Sequence, residues 1–141
     1  MTIIESSISL NKPVAQVFEF ITNLENQKKL SEYVTGVEVP GPVQVGLRYI
    51  IKTAVAGRTF DSENEVVALE PNKKFAVKTI AKPPASDVTN TYLLEPEGNG
   101  TKLTIQMDTV VMAMGMEEMV KNQLKTGLNT SLAAFKKAMG G

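Results

Sequence analysis

Asp61, Glu63 and Glu65 stand at every second position of "TFDSENEVV", the spacing that lays three carboxylates along one face of a strand. Such a row could do acid–base work or hold a cation. Three other side chains offer chemistry. Tyr49 and Tyr92 are phenols able to donate a hydrogen bond, and Arg58 could bind a carboxylate or steady an enolate. The chain has no histidine and no cysteine. That removes the commonest general base, the reactive thiolate and every Ser-His-Asp or Cys-His arrangement, and it gives no reason to expect a metal or another cofactor.

What the acidic row can do depends on the face it occupies. Closing strands at 46–55 and 58–68 around Ala56-Gly57 sets Val55 opposite Arg58, Arg48 opposite Glu65 and Lys52 opposite Asp61. Those are two opposite-charge pairs on one face. The other face carries Tyr49 with Asn64, Ile51 with Ser62, and Thr53 with Phe60. A slip of one residue would ruin both sets. The charged face is therefore assigned to solvent, where Arg48 and Lys52 balance the acids.

The remaining elements follow from periodicity and turn chemistry. Residues 2–10 alternate, with Ile4, Ser6, Ile8 and Leu10 on one face. Pro13 suits the first position of a helix that shows Val14, Val17, Phe18 and Ile21 on one side. A weaker helical stretch, "LENQKKLSEY", follows. Breaks at 40–46, 54–58, 70–74, 82–86 and 95–100 are rich in Pro, Gly and Asn. They separate expected strands near 36–39, 46–55, 58–68, 74–81, 87–95 and 101–112, and connections this short argue an antiparallel meander. Closing the last hairpin at "EPEGNG" sets Tyr92 opposite Leu103, Asn90 opposite Ile105 and Val88 opposite Met107, with Thr89, Thr91, Thr104 and Gln106 outside.

The final segment reads as one long amphipathic helix of about 35 Å. Its expected stripe is Met116, Met119, Val120, Gln123, Leu124, Gly127, Leu128, Ser131, Leu132 and Phe135. Gly127 costs such a helix about 1 kcal/mol against Ala. Close approach of a strand or a ligand would explain it, as would simple tolerance. Just upstream, "VVMAMGMEEM" concentrates methionines at the junction of strand and helix. They could fill the core there or form a pliable gate for apolar ligands.

The inward face is unusually polar, with Ser62, Asn64, Thr79, Asn90 and Thr109 among the aliphatics and aromatics. Buried hydrogen bonds and water could satisfy these groups, or they could line a ligand pocket. Both readings stay open on pattern alone.

Composition narrows the partners. The 141 residues are 43% hydrophobic, and fifteen basic residues cancel fifteen acidic ones. No basic stripe points to nucleic acid. No apolar run is long enough for a membrane span, and the first ten residues lack the features of a signal peptide. A cytoplasmic location and a monomer or homodimer are the expectations.

The order of one strand, two helices, six strands and a long helix resembles the START-like helix-grip (SRPBCC) superfamily. It is most similar to the polyketide cyclase/dehydrase-like branch in "ISLNKPVAQVFEFITNLEN", "GPVQVGLRY", "EVVALEPNKKFAVKT", "TYLLEPEGNGTKLT" and "LKTGLNTSLAAFKKAM". The resemblance implies one α+β domain over 1–141. In it a curved antiparallel seven-stranded sheet wraps around the C-terminal helix and leaves an internal cavity. It further implies binding of a small hydrophobic or amphipathic molecule there. The expected lining is Tyr49, Phe60, Asn64, Thr79, Tyr92, Met107, Thr109, Met119, Gln123 and Leu128, with Tyr92, Asn64 and Gln123 orienting a polar end. The alternative is a cyclase or dehydratase working through cavity Tyr, Asn and Arg groups.

Overall fold

The computed structural model describes residues 2–30, 34–80, 88–109 and 117–139. Strand β1 (Thr2–Leu10) leads into α1 (Val14–Thr22), a 3-10 turn (Leu24–Asn26) and α2 (Gln27–Leu30). Six strands follow: β2 (Val34–Glu38), β3 (Arg48–Val55), β4 (Arg58–Glu70), β5 (Lys74–Ile80), β6 (Val88–Glu97) and β7 (Gly100–Thr109). Helix α3 (Glu117–Ala138) completes the order. The strands form one antiparallel sheet in the order β1-β7-β6-β5-β4-β3-β2. Sequential strands pair side by side, as short turns require, and β1 is the exception, reaching β7 across the sheet. This is the helix-grip arrangement expected from the sequence.

The β3–β4 register matches the charge argument at every position, from Arg48 opposite Glu65 to Val55 opposite Arg58. Arg48 binds Glu65 and Glu63, each at 3.1 Å, and Lys52 reaches across to Glu38 at 3.0 Å. The last hairpin differs from expectation by two residues. Its turn is Gly98-Asn99, with Gly98 at φ 59° and Glu97 opposite Gly100. A two-residue turn that opens on a glycine with positive φ matches the strands' twist and closes the hairpin later than a longer loop would. Tyr92 consequently faces Ile105, Asn90 faces Met107 and Leu94 faces Leu103. Because the shift is even, every side chain keeps its expected face.

Pro13 caps α1 instead of occupying its first turn; it stays extended at ψ 155° while its carbonyl accepts from the backbone N–H groups of Gln16 and Val17. Val17 and Ile21 are buried and Val14 and Phe18 pack beside them, the face read from the sequence. A β-carbon on Gly100 would lie 2.2 Å from the carbonyl oxygen of Leu10, so this position must stay bare for β1 to meet the hairpin. Beside it, fully buried Thr101 donates to the carbonyl of Lys12 at 2.7 Å.

Helix α3 lies on the sheet face opposite the Arg48–Glu65 pair. Four rings tie it down: Phe20 meets Phe135 at 5.9 Å, Phe135 meets Tyr92 at 5.8 Å, and Tyr92 stacks on Phe75 at 6.1 Å. Ser6 on β1 also donates to the side chain of Asn129. The buried face of α3 is narrower than the expected stripe. Leu128, Leu132 and Phe135 are buried and Leu124 is half-buried, whereas Met119, Gln123, Gly127 and Ser131 are exposed. The helix sits rotated toward Leu128 and Leu132, because its three largest buried side chains dominate the packing. No described atom lies within 4 Å of where a Gly127 β-carbon would be, so no described strand approaches it. Met112, Met114 and Met116 lie outside the described residues.

Candidate functional site

Strand parity puts Tyr49, Ile51 and Thr53 of β3, Phe60, Ser62 and Asn64 of β4, Val77 and Thr79 of β5, and Val88, Asn90 and Tyr92 of β6 on the face that α3 covers. The cover is uneven. Toward the β6–β7 turn, Leu94, Leu103, Leu10 and Phe75 are buried beneath Leu132 and Phe135. Toward the β3–β4 turn the same face is only half-covered at Thr53, Ser62, Thr79, Val88, Asn90 and Met107. Solvent therefore reaches part of the inner face at the β3–β4 end, and Glu118, Met119, Asn122 and Gln123 near the start of α3 are exposed.

Of the expected lining residues, Tyr49, Asn64 and Leu128 are buried, and Thr79, Tyr92 and Met107 are half-buried. The structure brings three of them together. Asn64 lies between Tyr49 and Thr79 in register, accepts from the Thr79 hydroxyl at 2.7 Å and donates to the carbonyl of Ser62 at 3.0 Å. Asn64 is thus satisfied inside the protein and is not left reaching for a ligand. Met107 stands beside Asn90, and Tyr92 is one step further toward the packed side. Thr109 ends β7 opposite Thr2, and its side chain lies outside the described residues.

Three of the ten stand apart. Phe60 is 51% exposed at the rim of the sheet. It lines, with Ser62, Thr79 and Ile80, an open depression of about 810 Å³. Met119 is 53% exposed, and together with Gln123, Asn122 and Thr126 it lines a shallow hollow of about 340 Å³ on α3. Gln123 is therefore turned away from Tyr92 and Asn64. Ser62, Val88 and Asn90 belong to the half-covered stretch though the expected lining omitted them. Their signal was already present in the parity count that put them inward.

A further depression of about 480 Å³ is lined by Glu38, Val39, Pro40, Arg48, Tyr49, Ile50 and Glu63. Most of these residues point to the outer face, and Arg48 is committed to Glu63 and Glu65. The acidic row is accordingly a solvated face, with Glu63 and Glu65 paired to Arg48 and Asp61 exposed while Lys52 reaches Glu38, and it brings no carboxylate to the inner side.

The two tyrosines are electrostatically quiet. Burial pushes the Tyr92 phenol up to about 12, and burial followed by the neighbouring Tyr92 raises Tyr49 further still. Both hydroxyls stay protonated at neutral pH. They can donate hydrogen bonds or a proton, and neither can act as a base there.

The family model for polyketide cyclase/dehydrase and lipid transport matches residues 1–140. The chain belongs to that family. Solved structures with the same fold include a START superfamily protein from Mycobacterium smegmatis (12% identity, TM-score 0.80, covering 98% of this chain and 97% of the other). Ara h 8.0201 is 14% identical with a TM-score of 0.75 and covers 99% of both chains. The di-domain ARO/CYC BexL from the BE-7585A biosynthetic pathway is 16% identical with a TM-score of 0.83; it covers 99% of this chain, which matches 47% of BexL. At such identities the likeness establishes the fold. No curated protein matches the sequence. Among the described residues, no helix is long and apolar enough to cross a membrane.

Proposed function

We propose that this family member is a cytoplasmic carrier that binds one small hydrophobic or amphipathic molecule between the sheet and the first half of α3. The half-covered stretch of inner face carries the reading: Met107, Val88 and Ile51 supply apolar wall, while Ser62, Thr79 and Asn90 supply a few fixed polar groups. That mixture is what ligand pockets are built from. Tyr92 marks its inner end, where its neutral hydroxyl is able to donate to a ligand oxygen, and Leu128 closes the floor beneath α3. Tyr49 and Asn64 act as the support for this wall. Phe60, Met119 and Gln123 belong to the approach, and Thr109 lies at the β7 end of the same row.

The test is native mass spectrometry of protein purified from its host, paired with uptake of an environment-sensitive apolar dye. A co-purified small molecule, or dye uptake abolished by Met107→Trp in a folded protein, is the expected result. Uptake unchanged when Met107 is filled in this way would end the proposal.

A cyclase or dehydratase is the alternative within the same family. The neutral tyrosines limit it to a mechanism in which Tyr92 donates to a carbonyl oxygen. Equal turnover of a polyketide-like substrate by Tyr92→Phe would remove that route.

A further inference from the structure

The two edges of the sheet are not alike. Strand β2 closes one of them with five residues, a register shift between Val34 and Gly36, and Lys52 drawn to Glu38 at 3.0 Å. Brevity, bulges and charges are how edge strands are kept from pairing. Strand β1 forms the other edge with nine residues in unbroken register against β7, and it has no proline, glycine or lysine. The β6–β7 register shows which backbone groups β1 leaves over. Glu97 and Gly100 close a two-residue turn, so that pair exchanges both backbone bonds, and alternation turns Thr101, Leu103, Ile105 and Met107 toward β1. Their partners there are Leu10, Ile8, Ser6 and Ile4. The N–H and C=O groups of Ile3, Glu5, Ser7 and Ser9 therefore point to the open edge, and they have no other backbone partner among the described residues. The polar side chains of these residues are drawn back over the sheet: Glu5 accepts from Gln106 at 2.9 Å, Ser7 meets Thr104 at 2.9 Å and Ser9 donates to Glu97 at 2.6 Å.

We infer that β1 pairs with β1 of a second copy of this chain, antiparallel about a two-fold axis at Ser6. An axis normal to the sheet keeps every side chain on its own face, so the inner face of one copy continues into that of the other. The residues separate the three most extensive registers. Centred on Glu5, the pairing opposes two glutamates and makes three bonded pairs. Centred on Ser7, it again makes three and leaves Ser6 facing Ile8. Centred on Ser6, it makes four, Ile3 with Ser9 and Glu5 with Ser7, each twice. At two bonds to a pair, that is about eight hydrogen bonds. The same register sets Ile4 beside Ile8 of the partner subunit on the inner face and opposes no like charges. The strand is thus its own complement, which makes a second copy the occupant that fits it. The joined sheet ends in β2 on both sides, where the bulge and the ion pair stop further growth, so the product is a closed dimer.

The experiment is sedimentation equilibrium of the full chain from micromolar to sub-millimolar concentration, with circular dichroism to verify the fold of each variant. The expected result is a concentration-dependent dimer and no larger species. Ser7→Pro removes an edge-facing N–H that β7 does not use, and should weaken the dimer about tenfold or more while leaving the monomer folded. Two further variants test the register, because Ser7 faces Glu5 of the partner subunit. Ser7→Glu should weaken association several-fold, Ser7→Lys should tighten it, and both effects should shrink as salt is raised. A monomer at every concentration would overturn the inference and leave the edge to a strand of another protein. A dimer indifferent to Ser7→Pro, or shifted in the same direction by Ser7→Glu and Ser7→Lys, would overturn it as well. The carrier reading concerns the inner face and stands or falls separately.

Discussion

The two ends of one sheet face behave as different materials. Near the β6–β7 turn, Leu10, Phe75, Leu94, Leu103, Leu132 and Phe135 are buried to 5% exposure or less, and four aromatic rings run from α1 through α3 to β5. Near the β3–β4 turn the same face carries threonine, serine, asparagine and methionine, and none of the half-covered positions holds a large buried ring. The contrast is one of side-chain volume. Aromatic and leucine side chains reach far enough to meet the helix and expel water, whereas Thr, Ser and Asn do not fill the space. Stability is concentrated at the packed end, and in the proposed carrier the half-covered end is the one that binds. Elements that bind ligands are commonly drawn from the less stable part of a fold for this reason.

The sharpest way to break the comparison is Phe135→Ala. It removes a buried ring touching both Phe20 and Tyr92, and should cost about 3–5 kcal/mol by urea denaturation. A loss below about 1 kcal/mol would mean the packed end does not hold the helix. Next comes Asn64→Ala at the border of the two regions. It strands the Thr79 hydroxyl and should cost about 1–3 kcal/mol.

Gly127→Ala should move the other way, raising stability by up to about 1 kcal/mol in a thermal melt, because open space surrounds the site and Ala is the better helix former. Asn90→Ala should have the smallest effect on stability, within about 0.5 kcal/mol, as expected for a partly exposed position. Dye uptake should change clearly in the same variant. Large destabilisation by Asn90→Ala would place that residue with the packed end instead.

A pH titration separates the regions by another route. Tyr92 has its folded value raised to about 12 against about 10 when unfolded. Above pH 10 the unfolded chain therefore binds fewer protons than the folded one. Its contribution is complete below pH 10 and is lost as pH rises toward 12. Ultraviolet absorbance of tyrosinate should appear late for this residue, and Tyr92→Phe should flatten the alkaline loss of stability.

Much of this was legible before any coordinates. The β3–β4 register followed from charge pairing alone, because Arg48, Lys52, Asp61 and Glu65 can meet in only one alignment with Tyr49 and Phe60 on the reverse. The β6–β7 register was missed by two because "EPEGNG" permits several turns, and only the φ of Gly98 selects among them. The helix stripe was drawn too wide for a related reason. Met119, Gln123 and Ser131 fit an apolar period as sequence, but a helix buries only the arc its neighbour can touch. Of the site, parity identified which residues turn inward, and among them Thr79 is hydrogen-bonded to Asn64, with Tyr49 beside Asn64 in register. Parity has no information on depth, so it did not distinguish Asn64, satisfied and buried, from Asn90, half-covered and available.

The sequence by itself determined the meander of β2 to β7, the outward charge, the inward mixture of polar and apolar groups and the family to which the chain belongs. These depend on local chemistry: period, turn propensity and pairs of neighbours. The tertiary structure alone decided that β1 pairs with β7, how far α3 is rotated, which end of the sheet it packs and which end stays half-covered. Those outcomes depend on whether side chains from distant segments are long enough to touch, a property of distances between elements that no residue carries on its own.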